Sequence, residues 1–332
     1  MSTSYFIIGL TVVLALSFDF INGFHDTANS IATAVSTKAL TPRRAIMLAS
    51  IMNFLGAIAF TGVAKTIAKD IVNLNAIPNG SVVILAALVS AIAWNLITWY
   101  FGIPSSSSHA LIGSIAGASI AAAGVSSINF TGFVSIIKSL ITSPILAFVV
   151  GYIMFTIFKS VFKNLNLAKT NKSFRSVQVI TAAIQSFAHG TNDAQKSMGI
   201  ITMALVSNNL IKSGNIPFWV QVSCALAMAL GTSIGGWRII KTVGTQIMKI
   251  RPVNGVAADL SSALIIFGAS KIGLPVSTTH VISSSIMGVG TAYRPKGVKW
   301  NTGKRMIITW FITLPISAAL SAVVYSIISI FL

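Results

Sequence analysis

The chain has 332 residues, of which 54% are hydrophobic and 8% charged, with a mean hydropathy of +0.84. Soluble domains carry roughly 25% charged residues, so this composition belongs in a bilayer, where the length allows about ten spans. A net charge of +18 would point to nucleic acid in a soluble protein, but here the basic residues lie between apolar segments, as positive-inside loops do, which excludes that partner class.

The first apolar stretch, residues 4 to 37, has no basic residue before it and reads as a retained membrane segment rather than a cleaved signal. As one helix it would measure about 50 Å, against a hydrocarbon core of roughly 30 Å. A break is expected at "NGFHDTANS" (22–30), because Gly, Asn and Asp favour non-helical backbone. A basic loop follows at 38–44, then an apolar segment and a loop at 65–79. Residues 82–123 are interrupted by "GIP", where one helix should stop and the hydroxyl run after it should start another. Charge does not decide whether 82–123 crosses twice or re-enters. A loop at 124–131, another span and a basic linker at 159–175 complete the first half. The second half runs through "HGTNDAQKS" (189–197), loops at 208–217 and 238–251, a segment at 255–290 interrupted by "GLP", a loop at 294–305 and a last span.

The chain says the same thing twice. "NGFHDTANS" aligns with "HGTNDAQKS", placing Gly23 on Gly190, Asp26 on Asp193 and Ser30 on Ser197 at an offset of 167. "FGIPSSSSHALIG" (101–113) aligns with "IGLPVSTTHVISS" (272–284) at an offset of 171, placing Pro104 on Pro275, Ser106 to Ser108 on Ser277 to Thr279, and His109 on His280. Pro42 and Gly56 fall on Pro217 and Gly231 between them. Two motifs in one order at a nearly constant offset indicate duplication. The loops 38–44, 159–175, 238–251 and 294–305 hold 3, 5, 4 and 5 Lys/Arg, whereas 65–79, 124–131 and 208–217 hold 2, 0 and 1. That bias puts the first set inside and both termini outside. Corresponding loops of the two copies then lie on opposite sides, so the repeats are inverted. The expected fold is an all-α integral membrane protein of about 10–12 hydrophobic segments. It forms two inverted repeats, 1–158 and 176–332, joined by the basic cytoplasmic linker 159–175. In such transporters the binding site lies between the repeats near the midplane.

Each motif has a chemistry. Hydroxyls in the first turn of a helix, beside its free N–H groups and positive dipole end, form an anion site. Ser106, Ser107, Ser108, Ser277, Thr278 and Thr279 are the candidates, with simple N-capping as the alternative. A carboxylate within a membrane segment marks an ion pathway, a proton relay or a charge pair. The chain has only five acids, all Asp, and Asp26 and Asp193 sit inside the first motif pair. Asp26 with Asn22, Asn29 and the carbonyls of a broken helix offers oxygen ligands for Na⁺ or a site for H⁺. Asp193 with Asn192 and Gln195 offers the same from the other copy. All four His lie in the motifs. His25, beside Asp26, is the candidate for proton coupling, while His109 and His280 suit structural hydrogen bonds. Lys196 stands where the first copy has Asn29, so the half-sites differ in charge. Its expected partner is the bound anion or Asp193, unless it only anchors its helix at the interface. Asp259 has no acidic counterpart and reads equally as a helix-start residue or a further ion ligand. Cys224 reads as a buried small hydrophobe. No Cys–His cluster has zinc spacing.

At these residues the chain resembles the inorganic phosphate transporter (PiT) family, and within it the bacterial low-affinity phosphate transporters. The family's duplicated core is matched by "GFHDTAN" and "GTNDAQK", and its second motif pair by "WNLITWYFGIPSSSSHALIG" and "GLPVSTTHVI". The resemblance spans roughly residues 5 to 330. It implies cation-coupled import of orthophosphate across the cytoplasmic membrane by a homodimer whose site draws on both repeats. It also implies phosphate ligands among Ser106 to Ser108 and Ser277 to Thr279, joined here by Asn192 and Lys196, and coupling carboxylates at Asp26 and Asp193. No resident cofactor is expected. The co-transported ion is H⁺ or Na⁺, with phosphate moving alone or bound to a divalent metal. His25, where many members have Asn, shifts the balance toward protons. A sulfate permease of the same family and a passive channel or exchanger are the rival readings. An intramembrane hydrolase is a third, disfavoured because the hydroxyl runs match across repeats and single out no nucleophile.

Overall fold

The computed structural model describes residues 2–72, 77, 80–163, 167–212 and 215–331. Among them are thirteen α-helices: α1 Ser2–His25, α2 Thr27–Ser36, α3 Pro42–Ala59, α4 Gly62–Asp70, α5 Gly80–Tyr100, α6 Ser107–Ala123, α7 Phe130–Val161, α8 Leu167–Ser207, α9 Phe218–Ile234, α10 Trp237–Gln246, α11 Pro252–Lys271, α12 Thr278–Tyr293 and α13 Trp300–Ile328. The β pairing in the described residues is one isolated bridge, Val72 to Ile128.

These helices group into ten segments that repeat. α1 with α2 matches α8. The bent pair α3–α4, turning by 64°, matches α9–α10, turning by 71°. The hairpin α5–α6 matches α11–α12, and α7 matches α13, each with one internal proline, Pro144 and Pro315. Local sequence explains the boundaries. Pro42 and Pro252 occupy first-turn positions, where their missing N–H costs nothing. The turns after α5 and α11 need a left-handed residue, and Gly102 (φ 64°) and Gly273 (φ 75°) supply it without a Cβ penalty.

One expectation of symmetry fails. The chain does interrupt at the first Asp motif, but only by one turn residue: Asp26 N–H still reaches Asn22 O at 2.8 Å, and Asn29 N–H reaches Asp26 O at 3.0 Å. The second Asp motif lies inside α8, an unbroken helix of 41 residues. Asp193 therefore gains no freed carbonyls from a broken helix. The helix holds there because Ala188, Ala194 and Lys196 are better helix formers than their first-copy counterparts Ile21, Thr27 and Asn29. The basic linker is likewise drawn into helix ends: α7 runs to Val161, α8 starts at Leu167, and 164–166 lie outside the described residues. Parts of the expected loops 65–79 (73–76 and 78–79) and 208–217 (213–214) also lie outside them.

The two copies interlock. α1 packs on α9, α3 on α8, α6 on α13 and α7 on α12, each pairing one copy with the other, while α8 also packs extensively on α11 within the second copy. Glycine permits the closest of these approaches, as small residues do between membrane helices. A Cβ on Gly23 would strike the backbone of Met228, and one on Gly190 the backbone of Asn53. Two apolar clusters result, one including Phe18, Leu88, Met198 and Ile200, the other Ile31, Ile239, Ile286 and Met306. Along α1–α2 and along α8, the residues between the clusters are the polar motifs.

Candidate functional site

The site begins with two helix ends. Ser106 caps α6 by accepting from His109 N–H at 3.1 Å, and Ser277 caps α12 by accepting from His280 N–H at 3.3 Å. The two tips meet: the His109 and His280 rings lie 4.6 Å apart, and Ser108 Oγ donates to Val276 O at 2.9 Å. Each tip therefore presents first-turn N–H groups, which lack intrahelical acceptors, and further hydroxyls.

Those hydroxyls point at the two carboxylates. Ser107 Oγ donates to Asp26 Oδ2 at 2.5 Å, and Thr279 Oγ1 donates to Asp26 Oδ1 at 3.0 Å. In the mirrored position, Thr278 Oγ1 donates to Asp193 Oδ2 at 3.0 Å. Asn22 links the halves by donating to Asp193 Oδ2 at 3.4 Å, and Asn29 Nδ2 donates to Thr279 Oγ1 at 2.9 Å. The Oδ1 atoms of Asn22 and Asn29 are buried without a hydrogen-bond partner. They are acceptors, and beside Asp26 they add to a set that suits a hard cation.

The charges around the carboxylates differ. Asp26 Oδ1 lies 2.7 Å from His25 Nδ1, whose Nε2 lies 3.2 Å from Thr98 Oγ1. Asp193 Oδ1 accepts from Lys196 Nζ at 2.6 Å, and its Oδ2 lies 3.2 Å from His189 Nε2. Lys196 is wholly buried, which rules out an interfacial anchor. Asn192 turns away from the carboxylates to brace the α11–α12 turn. It donates to Ser270 Oγ at 3.0 Å and accepts from Val276 N–H at 3.2 Å.

Of the remaining motif residues, His109 Nδ1 lies 2.9 Å from Ser106 Oγ, as a structural role requires. His280 has a packing role instead: its ring stacks 4.1 Å from Trp310, and its Nε2 has no partner. Cys224 is buried. Thr98, Ser105 and Asn53 were not foreseen. Ser105 Oγ donates to Thr98 Oγ1 at 2.8 Å behind His25, and Asn53 Oδ1 lies 2.9 Å from His189 Nδ1. Asn53 and Thr98 stand in apolar stretches, and Ser105 opens the hydroxyl run whose next three residues were the candidates; these were the available signals.

Two inverted, interlocked halves that bring a pair of carboxylates and a pair of helix N-termini together between them define a secondary transporter. The chain belongs to the phosphate transporter family: the model of that family matches residues 22–169 and again 163–321. The chain is 70% identical over 321 residues to the "Probable low-affinity inorganic phosphate transporter" of Bacillus subtilis (strain 168), covering 96% of each. It is 43% identical to the protein of the same description from Rhizobium meliloti (strain 1021), over 96% of this chain and 95% of that one. Among solved structures it resembles one titled "The sodium-dependent phosphate transporter", with TM-score 0.88 and 26% identity over 98% of this chain and all of that one.

Proposed function

We propose that this protein imports inorganic phosphate across the cytoplasmic membrane by cation symport. The observation that carries the reading is the sharing of donors. Ser107, Thr278 and Thr279 are anion-binding hydroxyls at two helix N-termini, yet they donate to Asp26 and Asp193. A cation that takes the carboxylate lone pairs releases these donors to the anion. Cation and phosphate then each raise the other's affinity by the same factor, which is the thermodynamic content of coupling.

In this reading Ser107, Ser108, Thr278, Thr279 and the N–H groups of both tips hold phosphate, with Lys196 as a fixed positive charge beside it. Asp26, Asn22, Asn29 and His25 hold the exchangeable cation, H⁺ or Na⁺. The repeats are 1–158 and 176–332, and both termini lie outside. The demand for a co-ion is energetic: moving a dianion inward against 100 mV costs about 4.6 kcal/mol, at roughly 2.3 kcal/mol per charge. Two co-transported positive charges cancel it.

The test is uptake of ³²P-phosphate into proteoliposomes, with Na⁺, H⁺ and Mg²⁺ varied separately and sulfate as competitor. Accumulation that follows a cation gradient is expected. Uptake indifferent to both gradients would leave a channel or exchanger, and preferential inhibition by sulfate would make the chain a sulfate permease. A dependence on Mg²⁺ would show that a metal–phosphate complex is carried. Mass measurement in detergent tests the homodimer that the family resemblance implies. Orientation is read on a Cys224→Ser background, where Lys163→Cys should label with impermeant reagent from the cytoplasm and Ser126→Cys from outside. Labelling of both from one side would refute the inverted arrangement.

A further inference from the structure

The duplication leaves one contact whose two copies differ by a carboxylate. Ser197 Oγ of α8 donates to Asp19 Oδ1 of α1 at 2.7 Å. At the repeat offset of 167 these residues correspond to Ser30 and Ser186, and those two hydroxyls also meet, at 3.3 Å. In one copy the inherited contact between the motif helices is thus made by two hydroxyls. In the other an acid has taken the place of one of them. Holding the helices together does not require it.

The surroundings give that acid little support as an anion. Asp19 is wholly buried, and its Oδ2 has no hydrogen-bond partner. Ala15 and Phe18 beside it on α1, Met198 beside Ser197, and Cys224 on α9 all belong to one of the apolar clusters. The ion pairs found among the described residues involve Asp26 and Asp193 only. Of the elements packed on α1, α2 carries no titratable residue, and α5 carries Tyr100 as its last residue. On α9 the one titratable group is the Cys224 thiol, which lies beside Asp19. On α8, His189 and Lys196 are both bound to Asp193, and Arg175 lies about six turns from Ser197. On α1 itself, Tyr5 is exposed and His25 is bound to Asp26. One hydroxyl donor does not offset a full negative charge held away from water. Na⁺ would need several oxygens, whereas this position offers one carboxylate and one hydroxyl between helices that keep their carbonyls for themselves. The cation that fits is a proton.

We propose that Asp19 is a proton-binding residue of the transport cycle, with Ser197 as its positioning partner. It lies about two turns before Asp26 along α1, on the side that the proposed orientation makes the outside. A proton from the outer solution binds Oδ2, which removes the buried charge, and it dissociates to the inner solution in the same cycle as phosphate. Loading Asp19 also removes a negative charge close to Lys196, the residue next to Ser197, and so favours the arriving anion. The inference rests on the chain being a coupled transporter but not on the assignment of Asp26 and Asp193.

The experiment uses purified wild-type protein, Asp19→Asn and Asp19→Ser, the last copying the mirrored pair of hydroxyls. Phosphate binding is measured in detergent. Protons carried per ³²P-phosphate are then counted in proteoliposomes with an internal pH dye, and ²²Na⁺ in a parallel arm. Both variants should bind phosphate within about threefold of wild type, carry one proton fewer per phosphate and leave the Na⁺ count unchanged. An unchanged proton count overturns the proposal. A fall in the Na⁺ count instead also overturns it, as does loss of phosphate binding in a folded variant, which would place Asp19 in the central site. Should neither variant fold, Ser197→Ala keeps the acid but removes the donor to its ionised form. The pH of half-maximal uptake should then move upward by about half a unit, and an unmoved midpoint overturns the proposal. Wild-type uptake driven by Na⁺ with no proton carried overturns it while leaving symport standing. Wild-type uptake indifferent to both gradients removes symport itself, so the two failures are distinguishable.

Discussion

The two half-sites began as copies and now solve the same electrostatic problem differently. Asp193 is held by Lys196, three residues along its own helix, and by His189. Asp26 has Asn29 at the lysine's place and relies on His25 together with hydroxyls from both helix tips. One carboxylate is therefore locked to a cation the protein cannot release. The other has no such tethered partner, and in the proposed mechanism it takes the cation that comes and goes. A transporter needs that division: a permanently neutralised half gives rigidity, and an exchangeable half gives coupling.

The largest effects should come from breaking the carboxylates, and the two halves should break differently. Asp193→Asn strands Lys196 as an unpaired buried charge, a loss of about 3–5 kcal/mol. Uptake should vanish and thermal stability fall sharply, with stability but not transport recovered in Asp193→Asn/Lys196→Met. Asp26→Asn leaves no stranded lysine. It should lose gradient-driven uptake while melting near the wild-type temperature. Equal destabilisation by both substitutions would mean that the halves are electrostatically equivalent after all.

Lys196→Gln sharpens the comparison, because it converts the locked half into something closer to the exchangeable one. Phosphate affinity should fall about tenfold, the equivalent of roughly 1.4 kcal/mol, and an added monovalent cation should restore part of it. Phosphate affinity is measured at several Na⁺ concentrations and pH values. Wild-type affinity with wild-type ion dependence would show that Lys196 compensates Asp193 and nothing more.

The smallest effects belong to the residues in which the halves remain alike. The Ser106 and Ser277 hydroxyls are committed to capping their own helices. Their Ala variants should each cost about 1 kcal/mol of stability and keep concentrative uptake within a few-fold of wild type. Abolished uptake in a folded variant would move these hydroxyls into the phosphate shell.

What could be read from the sequence was what the duplication preserved. Asp26, Asp193, Ser107, Thr278 and Thr279 were legible because each has a mate, and the structure brings all five together. Thr98 and Asn53 were not, because their counterparts at the repeat offsets, Ala269 and Met228, are apolar and no matching can find them. Asp259 was visible as a scarce acid, but its hydrogen-bond partners Thr33 and Thr181 are distant in sequence and meet it only through packing. The continuity of α8 was hidden for the opposite reason. Similar motifs suggested similar backbones, whereas better helix formers carry the second copy straight through.

The exchange of partners between the copies has a consequence for how the protein is made. When α1 to α7 have left the ribosome, the glycine faces at Gly23 and Gly56 have no mates, since these are Met228 on α9 and Phe187 on α8. The first half must wait in the bilayer with α5 on α1 and α6 but without its partners from the second copy, its Asp26 lacking the Thr279 hydroxyl that arrives more than two hundred residues later. Assembly is therefore a late, post-insertional event that closes around the site itself. An ancestor of half this length would have faced the same shortage and met it with a second, oppositely inserted copy.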